Sequence, residues 1–328
     1  MNAMHATLGA FRAALVSGWI LLTVAGFGYA RLLDIPAMVA APVIAAFLLE
    51  YLFYLVPGFE TVRSRLLARF TRRRLALGCA VSGLAPYLLY SLTTGEFRAL
   101  ALLALAAPVA AMSFWYIRLG RRPLADLGFL VLAAAPFLVR PFFERVYTAP
   151  MEEVETAVLG RLMWIRLAAF AALALRGIHE TGFGFLPSRR DWKIGALHFA
   201  GFLPIGFALA WALGFAGPGL RPLMPWKIAA TFIGALWVVA LAEEFFFRGL
   251  LQEWLARWMR SPVAALVVAS ALFGLVHLGF RAFPNWRFAL LAGVAGLFYG
   301  RAYRAAGSIR ASMVTHALVV TTWRAVLG

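Results

Sequence analysis

Ala242-Glu243-Glu244-Phe245-Phe246-Phe247-Arg248 lies inside an apolar run that begins near Ile228. Two adjacent carboxylates in a membrane-length hydrophobic segment are expensive. A charge at the bilayer centre costs on the order of 3 kcal/mol even on the lenient insertion scale, so such residues face a protein interior or a polar cavity and carry function by default. Helical geometry separates the two acids. Neighbouring residues point about 100° apart, so they serve different partners. Glu244 and Arg248 are four apart on one face with the acid N-terminal, the favourable order for an ion pair. Glu243 is left without a local partner, and an unpaired carboxylate in an apolar setting is a candidate base.

Composition places this stretch in a membrane protein. Of 328 residues, 63% are hydrophobic and 14% charged, with a mean hydropathy of +0.83, far more apolar than a soluble chain of this length. The expected fold is an all-α polytopic transmembrane helical bundle of about 10–11 spans. The apolar segments lie near 13–32, 36–56, 76–94, 98–117, 124–139, 157–175, 194–214, 228–250, 262–280, 287–304 and 308–326. The fifth is short. The sixth is weakened by Arg161 and Arg166, which makes it a candidate interfacial helix. The first is long enough to span and lacks a clear small-residue cleavage site, so it reads as a retained helix.

The net charge of +17 comes mostly from Arg. Arg63 to Arg74, Arg118 to Arg122, Arg189 to Lys193, Arg257 with Arg260, and Arg301 to Arg310 fill every second loop. The intervening loop after the fifth segment carries Glu144, Glu152, Glu153 and Glu155 beside Arg140 and Arg145. Only Arg281 and Arg287 run against this alternation. The positive-inside rule then puts the N-terminus in the cytoplasm of a multi-pass inner (cell) membrane protein. No basic run accompanies a soluble domain, so nucleic acid is not an expected partner. Cys79 is the single cysteine, which excludes an intramolecular disulfide and any Cys-based metal cluster. A polar stretch from Gly177 to Lys193 suggests a boundary between an N-terminal accessory transmembrane region, 1–190, and a transmembrane core, 191–328, to which all assignable chemistry belongs.

His277, in Phe273-Gly274-Leu275-Val276-His277, and His316, in Ser312-Met313-Val314-Thr315-His316, each fall on a separate helix from the Glu pair. A bundle can gather the three from facing helices. Glu with two His suits two chemistries. One is general-base hydrolysis, with Glu243 taking a proton from water. The other is a divalent metal, zinc for example, held by Glu243, His277 and His316. The metal-free reading is preferred, because the ligand set is thin and the Glu244–Arg248 pair would place a cation beside the metal.

Glu243-Glu244-xxx-Arg248, then Phe273-xxx-His277, then His316 resembles the CPBP family of intramembrane proteases, also called Abi or the Rce1-like CAAX protease type. The likeness covers roughly 195–328. It implies catalytic roles for Glu243, Glu244, Arg248, His277 and His316. Glu243 would be the general base, His277 would position the water, Glu244 and Arg248 would support the site, and His316 would stabilise the oxyanion. It implies a peptidase, of the glutamic type though formerly grouped with metalloproteases, whose partners are the lipid bilayer and a membrane-anchored or lipidated polypeptide substrate. One departure stands out: the family's Asn four residues after the histidine is Val320 here, with Thr321 the nearest polar neighbour. Val320 keeps open a non-catalytic scaffold or processing partner with a degenerate site. A proton-coupled transporter is the other alternative, though the chain shows no inverted repeat.

Other polar residues have plainer readings. Glu50, beside Tyr51 to Tyr54, reads as reaching the interface, with a second functional site as the less favoured alternative. His179-Glu180 begins like a zinc-protease motif, but no second histidine follows at the required spacing. His198 reads as an interface residue. Gly293, Gly296 and Gly300 suggest close helix packing. Phe245-Phe246-Phe247 suggests core or lipid-facing packing.

Overall fold

A computed structural model describes residues 2–139, 141–179, 181–214 and 224–326; Arg140 and Glu180, both noted above, lie outside them. Among the described residues every regular element is helical. Eight helices among the described residues are long and apolar enough to cross a bilayer: Leu8–Leu32, Ala37–Gly58, Arg72–Thr94, Ala99–Arg118, Ala157–Arg176, Arg189–Ala212, Pro225–Met259 and Pro262–Gly279. The protein is an all-α, multi-pass membrane bundle. Three further segments read as spans from sequence are also helical. Pro123–Leu138 is apolar but shorter. Trp286–Ala306 and Ile309–Val326 are long enough but more polar. In the last of these the polar side chains turn inward: Ser312, Thr315, His316 and Thr321 are all buried. Elsewhere the outward surface is apolar, with Leu100 and Leu124 more than four-fifths exposed, as lipid solvation allows.

The chain divides into two compact units, Met1–Ile178 and His179–Gly328. The division falls at the N-terminal edge of the polar stretch, ahead of residue 190, because the segment after Ile178 packs on the second unit. Ile309 N donates to the Thr181 carbonyl at 2.9 Å. Gly182, at φ +63°, lies so close to Ser308 that a Cβ would sit 2.6 Å from its Cα. Phe183 meets Phe245 edge-on at 4.8 Å. The next helix, Arg189–Ala212, opens with a capping box in which Ser188 and Asp191 satisfy each other's backbone N–H.

The first unit is organised by a charge pair that the sequence reading misplaced. Glu50, fully buried on Ala37–Leu55, accepts from Arg166 Nε at 2.6 Å and Nη2 at 3.1 Å. Arg166 also donates to the Ser82 hydroxyl at 3.0 Å and the Ser82 carbonyl at 2.7 Å, and lies over the Phe53 ring. Glu50 therefore does not reach the interface, and Ala157–Arg176 is not an interfacial helix. Each charge is tolerated inside because the other neutralises it, and three helices are tied together in consequence. Arg161, on the same helix, instead points outward and pairs with Glu144. A second pair joins Arg176 to Asp126 at 2.8 Å, with the Tyr116 hydroxyl donating to the same carboxylate.

In the second unit, Pro262–Gly279 and Trp286–Ala306 pack through glycine contacts. A Cβ on Gly274 would sit 2.4 Å from the Ala289 carbonyl oxygen, and one on Gly300 would sit 2.3 Å from Leu266 Cδ1. The small-residue stripe is close helix packing, as in other membrane bundles. Phe245 and Phe247 are buried core residues.

The Glu50–Arg166 pair predicts a specific mutational pattern. Arg166→Leu alone should destabilise the protein by roughly 3–5 kcal/mol, since it leaves Glu50 buried and uncompensated, whereas Glu50→Leu/Arg166→Leu should recover most of the loss. Thermal unfolding in detergent of the two single variants and the double variant checks this. Equal losses in all three would contradict it.

Candidate active site

Glu243 and Glu244 occupy the short α-helical stretch Leu241–Glu244 between two π-helical turns, Ala235–Ala240 and Phe245–Gln252. A π-helical turn takes in an extra residue and shifts which side chains share a face; such turns are frequent at functional sites. This helix directs Arg248 and Gln252 at Trp286–Ala306. Arg248 Nη2 donates to the Gly296 carbonyl at 2.9 Å, and Gln252 Nε2 to the Gly300 carbonyl at 3.5 Å. The glycines permit the approach: a Cβ on Gly296 would lie 3.2 Å from that Arg248 nitrogen.

Glu244 and Arg248 are completely buried. Arg248 Nε lies 3.2 Å from Glu244 Oε2, and Nη1 reaches Oε1 at 3.4 Å. The guanidinium is also flanked by the rings of Phe273 at 4.6 Å and Tyr299 at 5.4 Å, a cation–π setting that offsets part of its desolvation. The other Glu244 contacts come from Ile309–Val326. Ser312 Oγ donates to Oε2, and His316 Nδ1 lies 2.7 Å from Oε1. Glu244 is thus held by a cation, a hydroxyl and an imidazole.

Glu243 is held by nothing comparable. Its side chain is about one-third exposed, yet Oε2 is buried and has no hydrogen-bond partner. His316 Nε2 lies 3.9 Å from Oε2, beyond hydrogen-bond length. The His316 ring stacks on Tyr299, with centroids 4.6 Å apart and planes 14° apart, and meets the edge of Phe273 at 5.8 Å. With Nδ1 directed at a carboxylate that only accepts, the proton belongs on Nδ1 and Nε2 is left facing Glu243.

His277 lies in the 3₁₀ turn Val276–Gly279 that ends its helix. Its Nδ1 is 2.7 Å from the Phe273 carbonyl, so this nitrogen also carries a proton and Nε2 is free. Its link to the others runs through Phe273, whose ring is 4.7 Å from the His277 ring and 5.8 Å from the His316 ring. The structure therefore brings Glu243, Glu244, Arg248 and His316 into one contact network, with His277 joined by a shared aromatic neighbour. Among the described residues no three His, Cys, Asp or Glu side chains are placed to hold a metal ion, so the set Glu243, His277 and His316 does not form a ligand cluster.

Three participants escaped the sequence reading. Ser312 precedes His316 by four residues, so it shares a helix face with it, and that spacing was the available signal. Tyr299 and the Gly296 carbonyl had no local signal, because an aromatic ring and a backbone oxygen acquire their roles only through helix packing. Val320, four residues beyond His316, shares that face and is half-buried. Thr321 Oγ1 is buried without a partner, but lies about 140° further round the helix from His316 and so does not occupy the Asn position.

Residues 225–322 match the family model described as Type II CAAX prenyl endopeptidase Rce1-like. The matched segment contains Glu243, Glu244, Arg248, His277 and His316, and in these residues the chain is similar to the CAAX-protease type. Comparison with curated proteins and with solved structures gives no match.

Arg248 combines a point charge with a planar fork between aromatic rings, a role Lys does not reproduce. Arg248→Lys should lower the unfolding midpoint, by the equivalent of about 2 kcal/mol or more, because the Gly296 carbonyl and Glu244 are no longer served together. An unchanged midpoint in detergent would show that charge alone is enough.

Proposed function

We propose that this protein is an intramembrane endopeptidase of the CPBP type, hydrolysing a peptide bond of a membrane-anchored or lipidated polypeptide through a water activated by Glu243. The observation that carries the reading is the contrast between the two adjacent carboxylates. Glu244 is saturated by Arg248, Ser312 and His316, whereas Glu243 Oε2 is buried and unpartnered. A carboxylate kept free beside a neutralised charge cluster is suited to take a proton.

In the proposed reaction, Glu243 accepts a proton from water as the water oxygen bonds to the scissile carbonyl carbon. His277, with Nε2 free, helps to position that water. His316 stabilises the negative oxygen of the tetrahedral intermediate. Nδ1 already serves Glu244, so His316 donates to that oxygen from Nε2, which takes up a second proton as the negative charge develops. Collapse of the intermediate breaks the C–N bond, and Glu243 returns its proton to the departing amine. The Arg-rich loops support an N-terminus on the cytoplasmic side of the inner membrane.

Purified wild type should cleave within a panel of membrane-anchored peptides. Glu243→Ala, Glu243→Gln and His277→Ala should each lose about a hundredfold or more in kcat, while wild-type cleavage survives chelation. Full activity in Glu243→Gln would refute the assignment, and activity lost to chelator and restored by zinc would make these residues ligands. The Val320 position supplies a further check. Val320→Asn adds a donor on the His316 face and should raise the rate roughly tenfold or more; no rise would show that the site does not lack one there.

A further inference from the structure

Two kinds of contact hold the Glu244 carboxylate, and they differ in quality. Those from Arg248 are close in charge but loose in alignment. Nη1 reaches Oε1 only at 3.4 Å, and Nε, although 3.2 Å from Oε2, makes no hydrogen bond. The guanidinium makes its shorter hydrogen bond, at 2.9 Å, to the Gly296 carbonyl and is flanked by aromatic rings. Arg248 thus neutralises Glu244 without fixing the rotation of its carboxyl plane. The directed contacts come from one helix. Ser312 Oγ donates to Oε2, and His316 Nδ1 meets Oε1 at 2.7 Å.

Ser312 is completely buried and has one proton to give. Two acceptors face it, Glu244 Oε2 and the Tyr299 carbonyl, the latter at 3.0 Å. The charged acceptor is the stronger, so the proton favours Glu244. The Tyr299 residue that offers the carbonyl also stacks its ring on His316. Ser312 therefore sits where the carboxylate and the helix carrying the imidazole's stacking partner meet.

We infer that Ser312 is a positioning residue of the site: by fixing Oε2 of Glu244 it aims Oε1 at His316 Nδ1, and so holds the imidazole in the tautomer that turns Nε2 towards Glu243. Its catalytic consequence rests on the function proposed above; the tautomer it sets does not. Without the hydroxyl, the carboxylate is free to rotate towards Arg248, and Nδ1 loses its fixed acceptor. The hydroxyl is completely buried behind Glu244, so its loss acts on turnover rather than on binding.

Two readouts test this with the full-length protein in detergent or nanodiscs. The first is nitrogen-15 NMR of labelled histidine, with His316 assigned by its absence in His316→Gln. Wild type should show His316 protonated at Nδ1, and Ser312→Ala should show a mixture of tautomers. The second is peptide cleavage: Ser312→Ala should lower kcat roughly tenfold or more with KM changed by no more than about twofold, and Ser312→Thr, which keeps the hydroxyl, should recover more activity than Ser312→Ala. An unchanged His316 tautomer in folded Ser312→Ala would overturn the inference whatever the activity. A tautomer shift without cleavage by wild type would leave the positioning role standing and count against the proposed function alone.

Discussion

A carboxylate and a guanidinium completely removed from water, Glu244 and Arg248, set the conditions that the second unit meets. Each would cost several kcal/mol to bury alone, and their attraction repays this only when the remaining donors and acceptors are also satisfied. The surrounding helices supply that satisfaction in detail. Gly296 offers a carbonyl at a point where the absence of a side chain lets the guanidinium approach. Phe273 and Tyr299 present ring faces to the cation. Ser312 and His316 complete the carboxylate. Small residues, aromatics and a hydroxyl from several helices are therefore constrained by one ion pair.

The chemistry proposed for the site follows from what that cluster leaves out. Adjacent positions on a helix face different neighbours, so saturating Glu244 does not saturate Glu243. A buried cluster that neutralises one carboxylate and leaves an oxygen of its neighbour unpartnered is stable enough to persist and still offers a free acceptor. The first unit shows the contrasting case. Glu50 and Arg166 form a pair with two hydrogen bonds, and Ser82 takes up two further guanidinium donors. Both carboxylate oxygens and all three guanidinium nitrogens have partners there, and the pair reads as a structural clamp.

Much of the bundle was legible in the sequence because hydropathy and helix length are local properties. The apolar segments are helices, and the spacing of Glu244 and Arg248 is enough to read their pairing. What was not legible depends on helices far apart in sequence. Glu50 and Arg166 are separated by 116 positions, so each looked like an isolated charge to be placed at an interface. The polar character of Ile309–Val326 reads as a weak span until its Ser, Thr and His side chains are seen to face inward. Tyr299 and the Gly296 carbonyl carry no sequence mark, since packing alone gives them their partners. The polar stretch from Gly177 to Lys193 read only as a boundary, and the backbone bond from Ile309 N to the Thr181 carbonyl attaches Thr181 to the second unit.

In the proposed reaction Glu243 activates water and does not itself attack the peptide. Single-turnover cleavage in oxygen-18-labelled water, followed by mass spectrometry of both product and enzyme, tests it most directly. Label should appear in the new C-terminal carboxylate of the product and not in the Glu243 side chain. Label in Glu243 would show that its carboxylate forms an acyl-enzyme bond, and would contradict the general-base role.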